Sequence, residues 1–348
     1  MKADLGAARP GKPQLPRPRG HLSDTVISWL RIGEGPLPTR EEVQREGPYG
    51  ADLQLALYVL YELHYQGFDG VDDDREWAPA PLSVRRYLEE AFLRALRADV
   101  PALGAQEALA GLLIEPADDS SSVSHYVKRE GRLWQLREYA ALRSLYHLKE
   151  ADPHAWVLPR LRGRAKAGMA AIEFDEFGAG RAEDIHAQLF ADLMADLALE
   201  TAYGHYVDVA PAETLAIVNL MSLLGLHRSL RGALVGHFAA VEVTSSPGSR
   251  RLAEAMRRTG AGPAAERFYD EHVEADAVHE QIVRREVIDG LLKDEPDLEP
   301  DVAFGIGATT LLEDRLATYL LAAWREERSA LPAPLPHVRT RKPARSVT

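Results

Sequence analysis

Two histidines and a carboxylate between Phe268 and Glu280 share the spacing of one helical stripe. At roughly 100° per residue, His272, Asp276 and His279 stand at i, i+4 and i+7 and fall within about 60° of arc. Three such side chains converging on one line are suited to holding a metal ion. The rival reading is a polar, solvated helix face, but Val273 and Ala277 point off the stripe and do not interrupt it. A second cluster lies upstream, where Glu173, Asp175, Glu176, Glu183 and Asp184 precede His186. Glu183 and His186 have the i, i+3 spacing found in di-iron carboxylate bundles. The break at Gly178-Ala179-Gly180 offers an alternative, in which Glu176 and His186 face one centre from successive helical pieces. Two glycines in three residues weaken a continuous helix by about 1 kcal/mol each relative to alanine, so a break there is expected. An acidic stretch near a helix start is otherwise a complement to the helix dipole.

Other chemistries are excluded by what is missing. The chain has no cysteine, which removes disulfides, thiolate zinc sites, cysteine-ligated iron–sulfur clusters and cysteine nucleophiles. Any metal must sit on His, Asp and Glu. His279-Glu280 is followed by Val283 where a zinc-protease helix needs histidine, and neither a phosphate-binding loop nor a serine-hydrolase elbow occurs. With 53 Asp and Glu against 41 Lys and Arg, the formal charge of -12 gives no field to hold a phosphate backbone or an anionic bilayer. No nucleic-acid or membrane partner is expected.

The elements that must position these residues read as helix almost throughout. Apolar residues recur at three- and four-residue steps, as in Leu53, Leu55, Leu57, Val59, Leu60 and Leu63, or Leu189, Phe190, Leu193, Met194 and Leu197. The nearest approaches to strand, 172–177 and 241–244, lie inside helical patterns, so little or no sheet is expected. The most apolar run, Leu215 to Leu226, is about a dozen residues long, short of the roughly 20 that span a bilayer, and reads as a buried core helix. Loops are expected at 46–50, 70–81, 115–122 and 245–249 from their Gly, Pro, Asp and Ser content. Residues 1–20, rich in Pro and basic residues, and 331–348 are expected to be disordered tails. The N-terminus carries no apolar segment of a secretion signal, which points to a cytoplasmic address. Between the tails, an N-terminal helical region (21–130) precedes a larger helical domain (131–330).

Five stretches then carry a resemblance: Leu148–His154, Asp175–Gly180, Asn219–Arg228, Arg231–His237 and His272–His279. Together, over about residues 140 to 290, they resemble the heme-oxygenase-like di-iron oxidases, also called iron-containing redox enzymes, and within that family its N-oxygenating members. The resemblance implies an all-α, heme-oxygenase-like bundle with an N-terminal helical extension that forms a homodimer between about Leu53 and Leu113. It implies two Fe(II) ions, O2 as co-substrate and an electron donor. Its ligand pattern falls on Glu150, Glu176, His186, Glu242, His272, Asp276 and His279. The implied reaction is O2-dependent N-oxygenation of an amine or guanidine nitrogen of a small molecule in natural-product biosynthesis. The same scaffold also supports oxidative C–C cleavage of a fatty or amino acid, and a helical metal-holding or interaction protein is the non-enzymatic alternative. Glu150 has an exposed, pre-proline helix end as its rival reading, whereas Glu242, in an apolar run, is costly to bury unless paired or metal-bound. Glu183 remains the rival to Glu176. His237, about 140° around the helix from Glu242, reads as supporting or structural, and His147, His154, His205 and His227 as packing or surface residues. Val235, Phe238 and Arg231 are expected as pocket walls, with Arg231 placed to hold a substrate carboxylate.

Overall fold

The structure is a computed structural model that describes residues 11–115 and 119–335. Its helices, in chain order, are α1 (His21–Ile32), α2 (Arg40–Arg45), α3 (Ala51–Glu62), α4 (Pro79–Asp99), α5 (Ala105–Leu112), α6 (Val123–Arg129), α7 (Leu133–His147) and α8 (Asp152–Ala155). There follow α9 (Gly163–Glu176), α10 (His186–Asp196), α11 (Ala212–Leu226), α12 (Arg231–Thr259), α13 (Pro263–Ile282), α14 (Asp289–Asp294) and α15 (Glu299–Trp324). Among the described residues there is no strand, and no helix is long and apolar enough to cross a membrane. The all-α fold expected from the periodicity is the one observed.

Local chemistry explains the boundaries. Thr39 and Glu42 close a capping box at the start of α2. Gly33 and Gly260 end α1 and α12 in the left-handed conformation, and Pro263 opens α13. α11 is apolar on every side and is buried accordingly at the centre. α12 and α15 cross in backbone contact, because a Cβ on Gly236 would sit 2.0 Å from the Val302 carbonyl oxygen and one on Gly305 1.9 Å from that of Ala233. That crossing fixes the register of α12, and with it the height at which Glu242 enters the interior.

Two sequence expectations change. The loop expected at 245–249 is the interior of α12, which runs unbroken through Pro247. Proline removes one helical hydrogen bond, but α12 lies along α13 and α15, and the Ser246 hydroxyl donates to the Val273 carbonyl, so tertiary packing outweighs the local penalty. Residues 11–20, expected as part of a disordered tail, instead run along the body. There Gln14 bonds Asp69, Arg17 pairs with Asp208, and Arg19 donates to the Val207 carbonyl at 2.6 Å. Residues 331–335, expected as the start of the other disordered tail, likewise lie on the body, with Leu331, Ala333 and Leu335 packed against the core, while residues 1–10 and 336–348 lie outside the described residues. Packing is continuous between the N-terminal helices and the later ones. One apolar core runs from Leu22 to Ala330, Glu299 at the start of α15 accepts from the Ala105 amide, and Arg251 of α12 bonds Ser124.

Candidate metal centre

The turn after α7 places the first ligand candidate. Beyond His147 the chain tightens, and Ala151 adopts φ 74, a conformation that strains a residue with a Cβ and persists only where its surroundings enforce it. The turn drives Glu150 inward. There its Oε1 accepts from His147 Nδ1 at 2.9 Å, while Oε2 lies 3.9 Å from His272 Nε2.

The second turn, between α9 and α10, brings Glu176 to His186. Gly178, at φ 72, admits no side chain, since a Cβ would meet the Ile185 amide nitrogen at 2.6 Å and the Asp184 carbonyl carbon at 2.7 Å. The chain therefore folds back on itself at the glycines. Glu176, the last residue of α9, meets His186, the first of α10, with His186 Nδ1 and Glu176 Oε2 2.7 Å apart. Glu183 faces out and is exposed.

α13 supplies the third line. Seven residues of helix span roughly 10 Å, more than one ion can bridge, and the stripe accordingly divides. His272 joins Glu150 and His186, whereas Asp276 and His279 join Glu176 and Glu242. Within each group the donor atoms lie within 4.8 Å of one another, and all seven residues are buried. The seven residues singled out beforehand are thus brought together as two adjacent groups.

Neighbouring groups set the ring orientations. His272 Nδ1 donates to the Phe268 carbonyl at 2.7 Å, which leaves Nε2 with its lone pair turned to Glu150. His279 Nε2 is 3.2 Å from Asp175 Oδ2, so Nδ1 faces Glu242 (3.2 Å), Glu176 (3.5 Å) and Asp276 (3.6 Å). Hydrogen bonds on the far side of a ligating imidazole are the usual means of fixing its tautomer.

Charge follows from the same geometry. Burial opposes protonation of His279, but the carboxylates of Asp276, Glu242 and Glu176 outweigh it and raise the imidazole to about 11. His186 rises to about 9 for the same reason, with Glu176 as its main partner. Burial disfavours the Glu150 carboxylate, yet His147, His272 and His186 together hold its pKa below the usual range. Burial raises Glu242, and the charges of Asp276 and Glu176 add to the shift. Glu173, one turn before Glu176, is buried with neither oxygen hydrogen-bonded. Burial first, then the charges of Glu176 and Glu242, push it up to about 9.

The donor set fits iron. Four carboxylates and three imidazoles without sulfur suit a borderline-hard redox metal. Buried polar atoms normally find hydrogen-bond partners, yet Glu150 Oε2, His186 Nδ1, His272 Nε2 and Asp276 Oδ2 have none. His186 Nδ1 is close to Glu176 but off the line that a hydrogen bond needs. All four atoms belong to the two groups, where a metal would satisfy them.

Two cavities meet at these residues. The smaller, about 20 Å³, is lined by Tyr146, Glu150, Glu176, Phe238, Glu242 and Asp276 among others, and has room for about one water-sized molecule. Tyr146, Val241, Ser245 and His272 are shared with a larger cavity of about 490 Å³, within the range of small-molecule sites. Of the expected pocket walls, only Phe238 lines either one. Val235 is wholly buried and reaches neither. Arg231 starts α12, roughly 16 Å along the helix from Glu242, and is spent on Glu295 and the Arg228 carbonyl, which removes it as a substrate clamp. His237 is bonded to Thr309 and lies in neither group, and burial lowers it to about 4.

Sequence reasoning missed His147, Asp175 and Glu173. Asp175 and Glu173 stood in the acidic cluster without a role, and Glu173 and Glu176 share the i, i+3 face of α9, a signal that was present. The His147 to Glu150 bond is also at i, i+3, but it spans a turn that periodicity does not reveal.

An all-helical bundle enclosing paired carboxylate and imidazole groups defines a class of metal-dependent redox proteins. The family model of the iron-containing redox enzymes matches residues 137–314, just over half of the chain, and the chain belongs to that family. It is therefore an oxidoreductase whose buried groups are suited to iron. A comparison with curated proteins finds no match.

Proposed function

We propose that this chain is a non-heme di-iron, O2-dependent N-oxygenase that acts on an amine or guanidine nitrogen of a small molecule in natural-product biosynthesis. The observation that carries the reading is the division of seven buried donors into two adjacent groups, with a water-sized space between them and a ligand-sized cavity beside it. The likeness of the ligand stretches to the central domain of the N-oxygenase of streptozotocin biosynthesis points the same way. Glu150, His186 and His272 would hold one iron, and Glu176, Glu242, Asp276 and His279 the other. Bound Fe(II) supplies the electrons that activate O2. The overall change adds one oxygen atom to the nitrogen and releases the other as water, with two electrons and two protons from an external donor. The chain's residues fix the ligand rings, crowd the small cavity so that bulk water stays out, and leave the nitrogen of a bound substrate to approach through the larger one. Asp175 and His147 act by orienting ligands.

The test is reconstitution with Fe(II) under argon, addition of O2 and candidate amines, and product mass. A gain of one oxygen on nitrogen supports the proposal. Loss of carbon dioxide in its place would transfer the assignment to oxidative C–C cleavage, and iron binding without substrate-dependent O2 consumption to a metal-holding role.

The proposal includes a homodimer. The Leu53–Tyr61 face is consumed within the protomer, leaving Trp77, Leu103 and Leu113 as exposed apolar residues of that region, with Ile114 just beyond it. Light scattering at micromolar concentration should give twice the 38.4 kDa chain mass, and a monomeric mass would refute it.

A further inference from the structure

The larger cavity contains two phenol hydroxyls whose hydrogens have no acceptor among the described residues. Tyr269, 3% exposed, has no hydrogen-bond partner among the described residues. The Tyr139 hydroxyl accepts from Arg143 Nε at 3.1 Å and donates to no described residue. Arg143 itself forks onto Glu313 (Nη1 to Oε1 2.8 Å, Nη2 to Oε2 2.5 Å), so its position is fixed while further N–H donors remain. A buried hydroxyl without a partner forfeits the hydrogen bonds that water would give it. Donors held beside a guanidinium in an open cavity call for an acceptor from outside the chain.

Placement relative to the metal groups sets the length of that ligand. On α7, Arg143 and Tyr139 precede His147 by one and two turns, roughly 6 and 12 Å, and on α13 Tyr269 precedes His272 by three residues. The walls between include Leu112, Met221, Ala240, Val241 and Phe268, which suit an aliphatic stem.

We infer that Tyr269, Tyr139 and the Arg143 guanidinium form an anchor for a ligand carboxylate, so that the substrate is an amine bearing a carboxylate at the far end of a short aliphatic chain. This rests on the N-oxygenase reading for the nitrogen end only. The three residues determine specificity by touching the substrate, and Glu313 positions Arg143.

The test uses three six-carbon probes with the anaerobic Fe(II)-loaded protein: 6-aminohexanoate, hexanoate and hexylamine. Titration calorimetry should show both carboxylates binding at least about tenfold more tightly than hexylamine, the worth of one or two hydrogen bonds. Tyr269→Phe should weaken both by about tenfold, leave hexylamine unchanged and leave the metal-free melting temperature equal or higher, because it deletes a hydroxyl that bonds nothing in the protein. A structural hydroxyl would instead lower that temperature. Tyr139→Phe, assayed the same way, covers failure of the first variant to fold. Hexylamine binding as tightly as 6-aminohexanoate, unchanged carboxylate affinity in both variants, or no binding by any probe overturns the anchor. The nitrogen reading fails separately, if bound 6-aminohexanoate gives no N-oxygenated product while Tyr269-dependent carboxylate binding persists.

Discussion

Lys149 and Glu150 are neighbours in sequence and serve two buried charged clusters of opposite character. Lys149 donates to Glu62, whose other oxygen accepts from Tyr203 at 2.6 Å, and the ammonium lies 4.0 Å from the centre of the Tyr65 ring. Neither Lys149 nor Glu62 has an unpartnered atom. Across the turn, Glu150 enters a group in which three donor atoms have no partner among the described residues, and the adjacent group holds a fourth. Both clusters carry the desolvation cost of buried charge. The first offsets it within the chain, and the second leaves it to be offset by something bound. Burial of charge therefore marks a binding site only where the accounting of partners fails to close.

The largest effects should come from the cluster that does not close. His272→Ala and Asp276→Ala should each lose iron at one subsite and with it the O2-dependent activity, while circular dichroism shows nearly intact helix. Glu176→Gln should behave likewise and Glu183→Gln should not, because Glu183 is exposed. Full iron occupancy in the His272 or Asp276 variant would break the assignment.

The closed cluster should answer in the opposite way. Lys149→Met leaves Glu62 buried with Tyr203 as its only partner among the described residues and should cost about 3–5 kcal/mol of stability, read by denaturant unfolding. The double variant Lys149→Met/Glu62→Gln should recover a large part of that loss. The folded fraction should still take up its full iron. Loss of iron without loss of stability in Lys149→Met would erase the contrast between the clusters.

How much of this was legible in the sequence depends on the range of the contact. The helical fold follows from three- and four-residue periodicity, and the α13 stripe from spacing alone. The Gly178 turn could be anticipated because glycine advertises a local conformational need. Glu150 and Glu242 came only from resemblance, since the turn at Ala151 and the α12–α15 crossing that aim them have no periodic signature. The Glu62 to Lys149 pair joins residues 87 apart and Arg231 to Glu295 joins residues 64 apart, which is why Glu62 was given no role and Arg231 a wrong one. Packing against α13 and α15 likewise overrode Pro247.

Glu173 sharpens the comparison, being a buried carboxyl without a hydrogen bond that belongs to neither metal group. Its pKa is raised to about 9 in the fold, against about 4.3 when unfolded. The folded state therefore binds the extra proton, and the stability of metal-free protein falls as pH rises between these values, by roughly 1 kcal/mol per unit. Glu173→Gln removes that dependence. Its melting temperature relative to wild type should rise steadily from pH 5 to pH 8.5, and parallel curves would show that Glu173 finds a partner in solution.

The smallest effect tests whether partners outside the metal groups matter at all. Asp175 holds His279 Nε2 at 3.2 Å, but its side chain is 53% exposed, so the bond is screened and weaker than one in the interior. Losing such an orienting carboxylate typically costs 10–100-fold in metal affinity, and exposure places Asp175→Ala near the lower end. Asp175→Asn keeps an acceptor oxygen for the ring N–H and loses only charge, so its loss should be smaller still and should shrink as salt rises. Competition with a chelator for Fe(II) would rank the two. If Asp175→Ala binds iron as tightly as wild type, packing alone orients His279, and the unpartnered donor atoms suffice to define the site.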